Sequence, residues 1–140
     1  AKAVQAGVPV HELHNHTGAF VVNSIGDAKT IEGTLGTPIQ IANGGTGFML
    51  IKREVFKSLA DKVPEYNSDM FKAVDGVRKP RVIKEFFATS IDATSGNRLL
   101  SEDYHFCKIA REQGFTVWAA PWANLVHCGA YNFSGQLPRA

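Results

Sequence analysis

Glu102 and Asp103 are the residues of this chain best suited to move a proton. They stand side by side in Leu99-Leu100-Ser101-Glu102-Asp103-Tyr104, at the start of a stretch with helical periodicity. His127 follows at the end of the next apolar run, in Val126-His127-Cys128-Gly129-Ala130-Tyr131. An ionised carboxylate can accept a proton from a hydroxyl, and a neutral imidazole can ligate a metal. The spacing therefore sets a candidate general base and a candidate metal ligand about one strand–helix unit apart.

The element that must hold the carboxylates is a helix from Ser101 to Gly114. Ser101 is a favourable N-cap, because its hydroxyl can accept from unpaired first-turn amides. Glu102 and Asp103 then fall where the helix dipole favours negative charge. Phe106, Cys107, Ile109 and Ala110 form the apolar stripe, while Lys108, Arg111 and Glu112 face water. Gly114 ends the helix, with Phe115 placed to pack back on the last turn. Two readings of the acidic pair follow. One is capping alone; the other is a carboxylate held ionised by the helix start and aimed into a cleft as a base.

Three further groups of residues invite a chemical reading. Gly44-Gly45-Thr46-Gly47 precedes a strand and lacks the spacing of a dinucleotide fingerprint. It reads either as a strand entry with a bulge that only glycine tolerates, or as bare backbone that lets a ligand approach. His11-Glu12-Leu13-His14-Asn15-His16 holds three histidines, but position 15 is Asn, where the metalloprotease helix needs its second His. Val8-Pro9 and Thr17-Gly18 flank it, so a surface loop is expected there and not a metal site. His127 itself reads as a hydrogen-bonded core residue or as a ligand, with Gly129, Tyr131 and Phe133 on its side of a strand. Trp118 lies in a strand and is expected in the core. Trp122, after Pro121, is expected in a more open loop, where its ring could support a sugar.

Composition limits what these residues can serve. A chain of 140 residues, 44% hydrophobic and 20% charged, is globular and large enough for a core of its own. A net charge of +2 gives no reason to expect nucleic acid, and no basic tract or aromatic–basic interleaving stands out. The apolar runs are only a few residues long, so no membrane span is expected. Two cysteines, one on the apolar side of a helix, suit a reducing, cytoplasmic setting. The opening, Ala1-Lys2-Ala3-Val4-Gln5-Ala6-Gly7, resembles the last turns of a helix closed by glycine.

The remaining elements alternate. Short strands are expected at Ala19 to Asn23, Pro38 to Ala42, Phe48 to Ile51, Val82 to Ser90, Thr116 to Ala119 and Asn124 to His127. In the second of these Ile39 and Ile41 should face one way, and the third should be buried. A second helix is expected from Lys52 to Val63, with Val55, Phe56, Leu59 and Val63 on one face and Pro64 beyond its end. Ser24 to Thr37 and Tyr66 to Lys79 read as loops, the latter as the most mobile part. The fold class expected is α/β, a mixed sheet flanked by helices.

Three blocks, in order, resemble GT-A-fold glycosyltransferases of the family 2-like group. The first is Gly45-Thr46-Gly47-Phe48-Met49-Leu50-Ile51-Lys52-Arg53-Glu54-Val55-Phe56. The second is Phe86-Phe87-Ala88-Thr89 followed by Leu100-Ser101-Glu102-Asp103-Tyr104-His105-Phe106-Cys107, similar to that group's acidic block. The third is Leu125-Val126-His127-Cys128-Gly129-Ala130-Tyr131-Asn132-Phe133-Ser134-Gly135. The resemblance implies transfer of a sugar from a nucleotide-sugar donor to a sugar-bearing or hydroxyl acceptor. It implies Asp103 as base or acceptor contact, with Glu102 beside it, His127 as a ligand to Mn²⁺ or Mg²⁺ or a diphosphate contact, and Gly45, Thr46, Gly47, Trp122 and Tyr131 as substrate contacts.

The family's Asp-x-Asp motif, which binds the donor's ribose and metal, occurs nowhere in these 140 residues. The chain is therefore expected to be a single domain, or the C-terminal, acceptor-side half of a GT-A domain, forming a partial nucleotide-diphospho-sugar transferase fold. Metal dependence is expected only of a complete enzyme. The alternatives are a non-catalytic carbohydrate-binding or interaction module that keeps the acceptor cleft, and an unrelated metal hydrolase built on the histidine-rich loop. An exposed sheet edge would also invite a second copy of the chain.

Overall fold

The computed structural model describes residues 2–16, 22–26, 36–74 and 76–123. Within them the chain is mixed α/β. Its elements are α1 (Lys2–Gln5), β1 (Val22–Asn23), β2 (Ile39–Ile41), β3 (Asn43–Gly44), α2 (Arg53–Leu59), β4 (Glu65–Val74), β5 (Val77–Lys84), β6 (Ser90–Asp92), β7 (Arg98–Leu100), α3 (Glu102–Glu112) and β8 (Val117–Ala119). Short 3-10 turns occupy Val10–His16, Thr46–Phe48 and Ala93–Ser95. Contacts divide the chain into two compact units, Asn43–Val117 and Ala1–Ala42 with Trp118–Ala140.

The core of the Asn43–Val117 unit lies between α2 and α3. Val55 and Leu59 come from one helix and Phe106 and Ala110 from the other, all buried. Met49, Ile51, Phe56, Val63, Phe86, Ile109 and Phe115 pack around them. Phe106 is its aromatic centre: its ring stacks on Phe87 at 4.5 Å and meets Phe56 at 5.6 Å, while Phe56 meets Phe86 edge-on at 5.1 Å. Such offset and edge-to-face pairs add to simple area burial.

α3 follows the expected pattern closely. Its stripe of Phe106, Cys107 and Ala110 is buried, and it ends in a full Schellman motif. Phe115 N donates to Ala110 O at 3.2 Å and Gly114 N to Arg111 O at 2.9 Å, with Gly114 at φ +83°. α2 is shorter than expected, Arg53–Leu59 in place of Lys52 to Val63, and a turn leads from it to Pro64. In the other unit β2 has the expected alternation, with Ile41 buried and Gln40 exposed, and its strand partner is β8.

Four expectations fail. Phe48 to Ile51 is not a buried strand: Thr46–Phe48 is a 3-10 turn, and the chain runs extended from Met49. Met49 and Ile51 pack on the core while Phe48 and Leu50 are 66% and 89% exposed, because only one side of this segment is covered. Tyr66 to Lys79 is not a loop: it forms most of the antiparallel ribbon β4–β5, paired from Glu65↔Lys84 to Val74↔Val77 with a register shift between Ser68 and Phe71. The strand expected from Val82 to Ser90 is split, since β5 ends at Lys84 and β6 starts at Ser90. All strand pairings among the described residues are two-stranded, so the expected mixed sheet appears as separate ribbons. The expected Ala19 to Asn23 strand is described only at Val22–Asn23. Most of Ser24 to Thr37, and the whole of Asn124 to His127, lie outside the described residues.

Candidate functional site

β7 delivers the acidic pair. Leu100, buried at the end of that strand, anchors the entry to α3, and Ser101 follows with an extended backbone at φ −65°, ψ 169°. Ser101 occupies the N-cap position, yet its hydroxyl accepts no amide there. It donates instead to Asp103 Oδ1, which also accepts the Tyr104 amide at 2.8 Å. The capping acceptor is thus Asp103 and not Ser101. A carboxylate can take both bonds at one oxygen, and the negative charge gains from the helix dipole. Asp103 Oδ2 takes no hydrogen bond from the described residues, while Glu102 is exposed to solvent beside it.

The helix face that begins with Asp103 continues through Cys107 and Arg111, at intervals of four residues. This face packs on β3. Cys107 Sγ lies 3.9 Å from Gly44 O, and Arg111 Nη2 donates to Asn43 Oδ1 at 3.4 Å. Burial pushes the Cys107 thiol above its ordinary value; the Gly44 contact opposes that rise and the Asp103 carboxylate adds to it. Gly44, the first residue of the glycine segment, therefore packs on α3 about one turn beyond Asp103. None of Gly44, Gly45 and Gly47 has a positive φ, so the bulge that only glycine tolerates is not what these glycines provide. A Cβ on Gly47 would meet nothing within 4 Å, leaving open space beside the backbone.

On the other side of the acidic pair, Arg98 of β7 lies over the Tyr104 ring at 5.5 Å.

A second polar group, behind α3, went unrecognised in the sequence. Asp92 is buried at the end of β6, where its Oδ1 accepts the Thr94 amide at 3.1 Å and the Thr94 hydroxyl at 2.7 Å. Lys108 Nζ lies 3.3 Å from that same oxygen and 3.3 Å from Glu112 Oε1. Hydrogen bonds from the hydroxyls of Thr94 and Ser95 hold Asp92 well below the usual carboxylate range. Desolvation acts to lower Lys108, but its bonds to Glu112 and Asp92 outweigh it and its ammonium titrates above the usual value. Ser90 Oγ and His105 Nδ1 are 2.7 Å apart, and burial, reinforced by the Lys108 charge, lowers the His105 pKa. These bonds tie the β6–β7 hairpin to α3. The signal was present as Asp92-Ala93-Thr94-Ser95-Gly96-Asn97, an Asp that can cap its own turn followed by two residues suited to positive φ. Gly96 and Asn97 do adopt φ of 73° and 59°.

Trp118, expected in the core, is 55% exposed, since a two-stranded pairing leaves one side of β8 uncovered. Trp122 is exposed in a turn after Pro121, as expected. Both belong to the other unit. His127 and Tyr131 lie outside the described residues. His11 and Glu12 form an exposed pair at 3.6 Å on a 3-10 turn where a loop was expected.

Among the described residues no three His, Cys, Asp or Glu side chains lie close enough to hold a metal ion. The acidic pair does not fit a divalent cation by itself, because a hard cation takes about six or more oxygen ligands. No helix among them is long and apolar enough to cross a membrane. Comparison with protein-family models, with curated proteins and with solved structures finds no match.

Proposed function

We propose that this chain carries the acceptor side of a GT-A-type glycosyltransferase site, with Asp103 as the base. One observation carries the reading: the helix that opens with the acidic pair packs Cys107 and Arg111 on Gly44 and Asn43, the residues that lead directly into the first family-like block. The division of labour within Asp103 supports it further. Oδ1 is engaged in capping and fixes the carboxylate, leaving Oδ2 for an acceptor hydroxyl. As that hydroxyl oxygen attacks the sugar carbon, Asp103 takes its proton, the bond to the donor diphosphate breaks, and a glycosidic bond forms. Charge stabilisation of the diphosphate, by Mn²⁺ or Mg²⁺ in a complete enzyme, and the donor site itself would fall to groups other than the described residues.

Saturation-transfer NMR of the full chain against a panel of oligosaccharides tests the acceptor site. Sugar protons should be saturated by the wild type and far less by Asp103→Ala; no saturation with any saccharide would end the reading. Calorimetry with Mn²⁺ and a sugar nucleotide should give only weak heat. Tight binding would show a donor site within these residues.

A further inference from the structure

The β4–β5 ribbon carries side chains that neither the core nor the acidic site uses. Arg78, Lys79 and Arg81 stand in four consecutive positions of β5 broken only by Pro80, a short basic tract not singled out in the sequence. All three are exposed, and no carboxylate among the described residues lies within ion-pair distance of them. Glu65, the carboxylate nearest the base of the ribbon, is taken by Lys84, and Asp69 lies in the bulge between Ser68 and Phe71. Beside these cations Met70, Phe71, Val77 and Val82 are also exposed, Met70 to 65%. Cross-strand partners share a face, so Phe71, Pro80, Val82 and Arg78 stand on one side and Lys79, Arg81, Tyr66 and Ile83 on the other. The Arg78 guanidinium, 4.1 Å above the Phe71 ring, shows cation and apolar group packed as a unit.

We infer that the face of this ribbon carrying Tyr66, Val77, Lys79 and Arg81 docks on an anionic lipid surface. Charge complementarity calls for a negative partner, and the aliphatic side chains choose among negative partners. Val77 on that face gains nothing from a solvated polyanion, whereas the boundary between headgroups and acyl chains takes an apolar tip, an aromatic ring and positive flanks together. The depth is shallow. A two-stranded ribbon has two open edges, whose backbone groups need the hydrated headgroup layer to remain bonded. This inference is independent of the proposed transferase activity, since it uses none of the residues at the α3 start.

Cosedimentation of the full chain with vesicles tests it. Binding should appear with phosphatidylcholine vesicles containing roughly one-third phosphatidylserine and be much weaker with phosphatidylcholine alone. High salt should abolish it, because charge at a surface is screened within a few ångströms at about 1 M. Each cation near such a surface raises affinity roughly fivefold, so Lys79→Gln with Arg81→Gln should weaken binding roughly 25-fold. Val77→Ser should weaken it at both low and moderate salt. These positions are exposed, and unchanged circular dichroism and melting would verify that the variants fold. No binding to the anionic vesicles, equal binding to neutral ones, or an unaffected double variant would overturn the inference. So would capture by heparin or an oligonucleotide without any vesicle binding, which would assign the ribbon to a soluble polyanion.

Discussion

Replacing Asp103 by Asn and by Ala separates its two roles, because only one of them depends on charge. Oδ1 accepts from the Ser101 hydroxyl and the Tyr104 amide. Each bond is worth about 1 kcal/mol net, and partial exposure of the site argues for the lower half of that range. Asp103→Ala loses both and should destabilise by about 1–2 kcal/mol. Asp103→Asn keeps an acceptor oxygen in the same place. It loses only the favourable charge at the helix start, about 0.3–1 kcal/mol. The two variants should therefore differ by about 1 kcal/mol, or roughly 3 °C in melting temperature for a chain of this size. Ser101→Ala combined with Asp103→Ala should cost less than the sum of the singles, since both remove one shared bond.

Transfer activity should rank the variants differently. If Asp103 is the base, Asn and Ala lose rate alike, by roughly two or more orders of magnitude, although Asn is nearly as stable as the wild type. The assay is release of the nucleoside diphosphate in a transfer-competent preparation, set beside melting followed by circular dichroism. An Asn variant that transfers like wild type would leave Asp103 with capping alone. An Ala variant as stable as wild type would remove the capping as well.

Other residues give sharper tests of the scaffold. Asp92→Ala should cost about 2–4 kcal/mol, because it strips two bonds from Thr94 and leaves Lys108 without its buried partner; urea unfolding within 0.5 kcal/mol of wild type, on the order of a surface substitution, would contradict the cluster. The His105 pKa lies below 6.5 in the folded protein, so folding excludes a proton there. Stability should hold above that pH and fall as acidity increases below it, and His105→Asn should flatten the urea midpoint over that window; stability rising on acidification would reverse the sign. Phe106→Ala should destabilise by about 3–5 kcal/mol by opening a cavity between Phe56 and Phe87, and a calorimetric loss below about 1 kcal/mol would show that the α2–α3 core relaxes around it.

The helices were legible because their signals are local. The α3 stripe, its glycine stop and the packing of Phe115 all rest on residues within one turn of each other, and each appears as read. The β4–β5 ribbon was equally legible and was misread. Asp75-Gly76 between Val74 and Val77 is a two-residue hairpin signal, but the polar character of Tyr66 to Lys79 reads as a loop. A ribbon exposed on both sides has no buried face to stamp an apolar period on its sequence, so the turn is its main mark. Phe48 to Ile51 failed in the opposite direction. Four apolar residues in a row imply a strand covered on both sides, while the structure covers only Met49 and Ile51. Composition cannot say how many neighbours a segment will have.

At the site, residue type was legible and geometry was not. The pattern Ser101-Glu102-Asp103 identifies a capped helix start, but it cannot say which oxygen does the capping. That depends on side-chain torsions, and here they let Asp103 take bonds that serine usually takes. The nearness of Gly44 to Cys107 depends on how β3 crosses α3, 63 residues apart in sequence, and no local pattern encodes it. That crossing also separates the two readings of the acidic pair. A capping carboxylate needs nothing beyond its own first turn, whereas a base needs an acceptor held against it by a second element. β3 lies against the same helix at Cys107 and Arg111, about one and two turns along from Asp103, so under the proposed function the choice between cap and base becomes a question about one carboxylate oxygen, Oδ2.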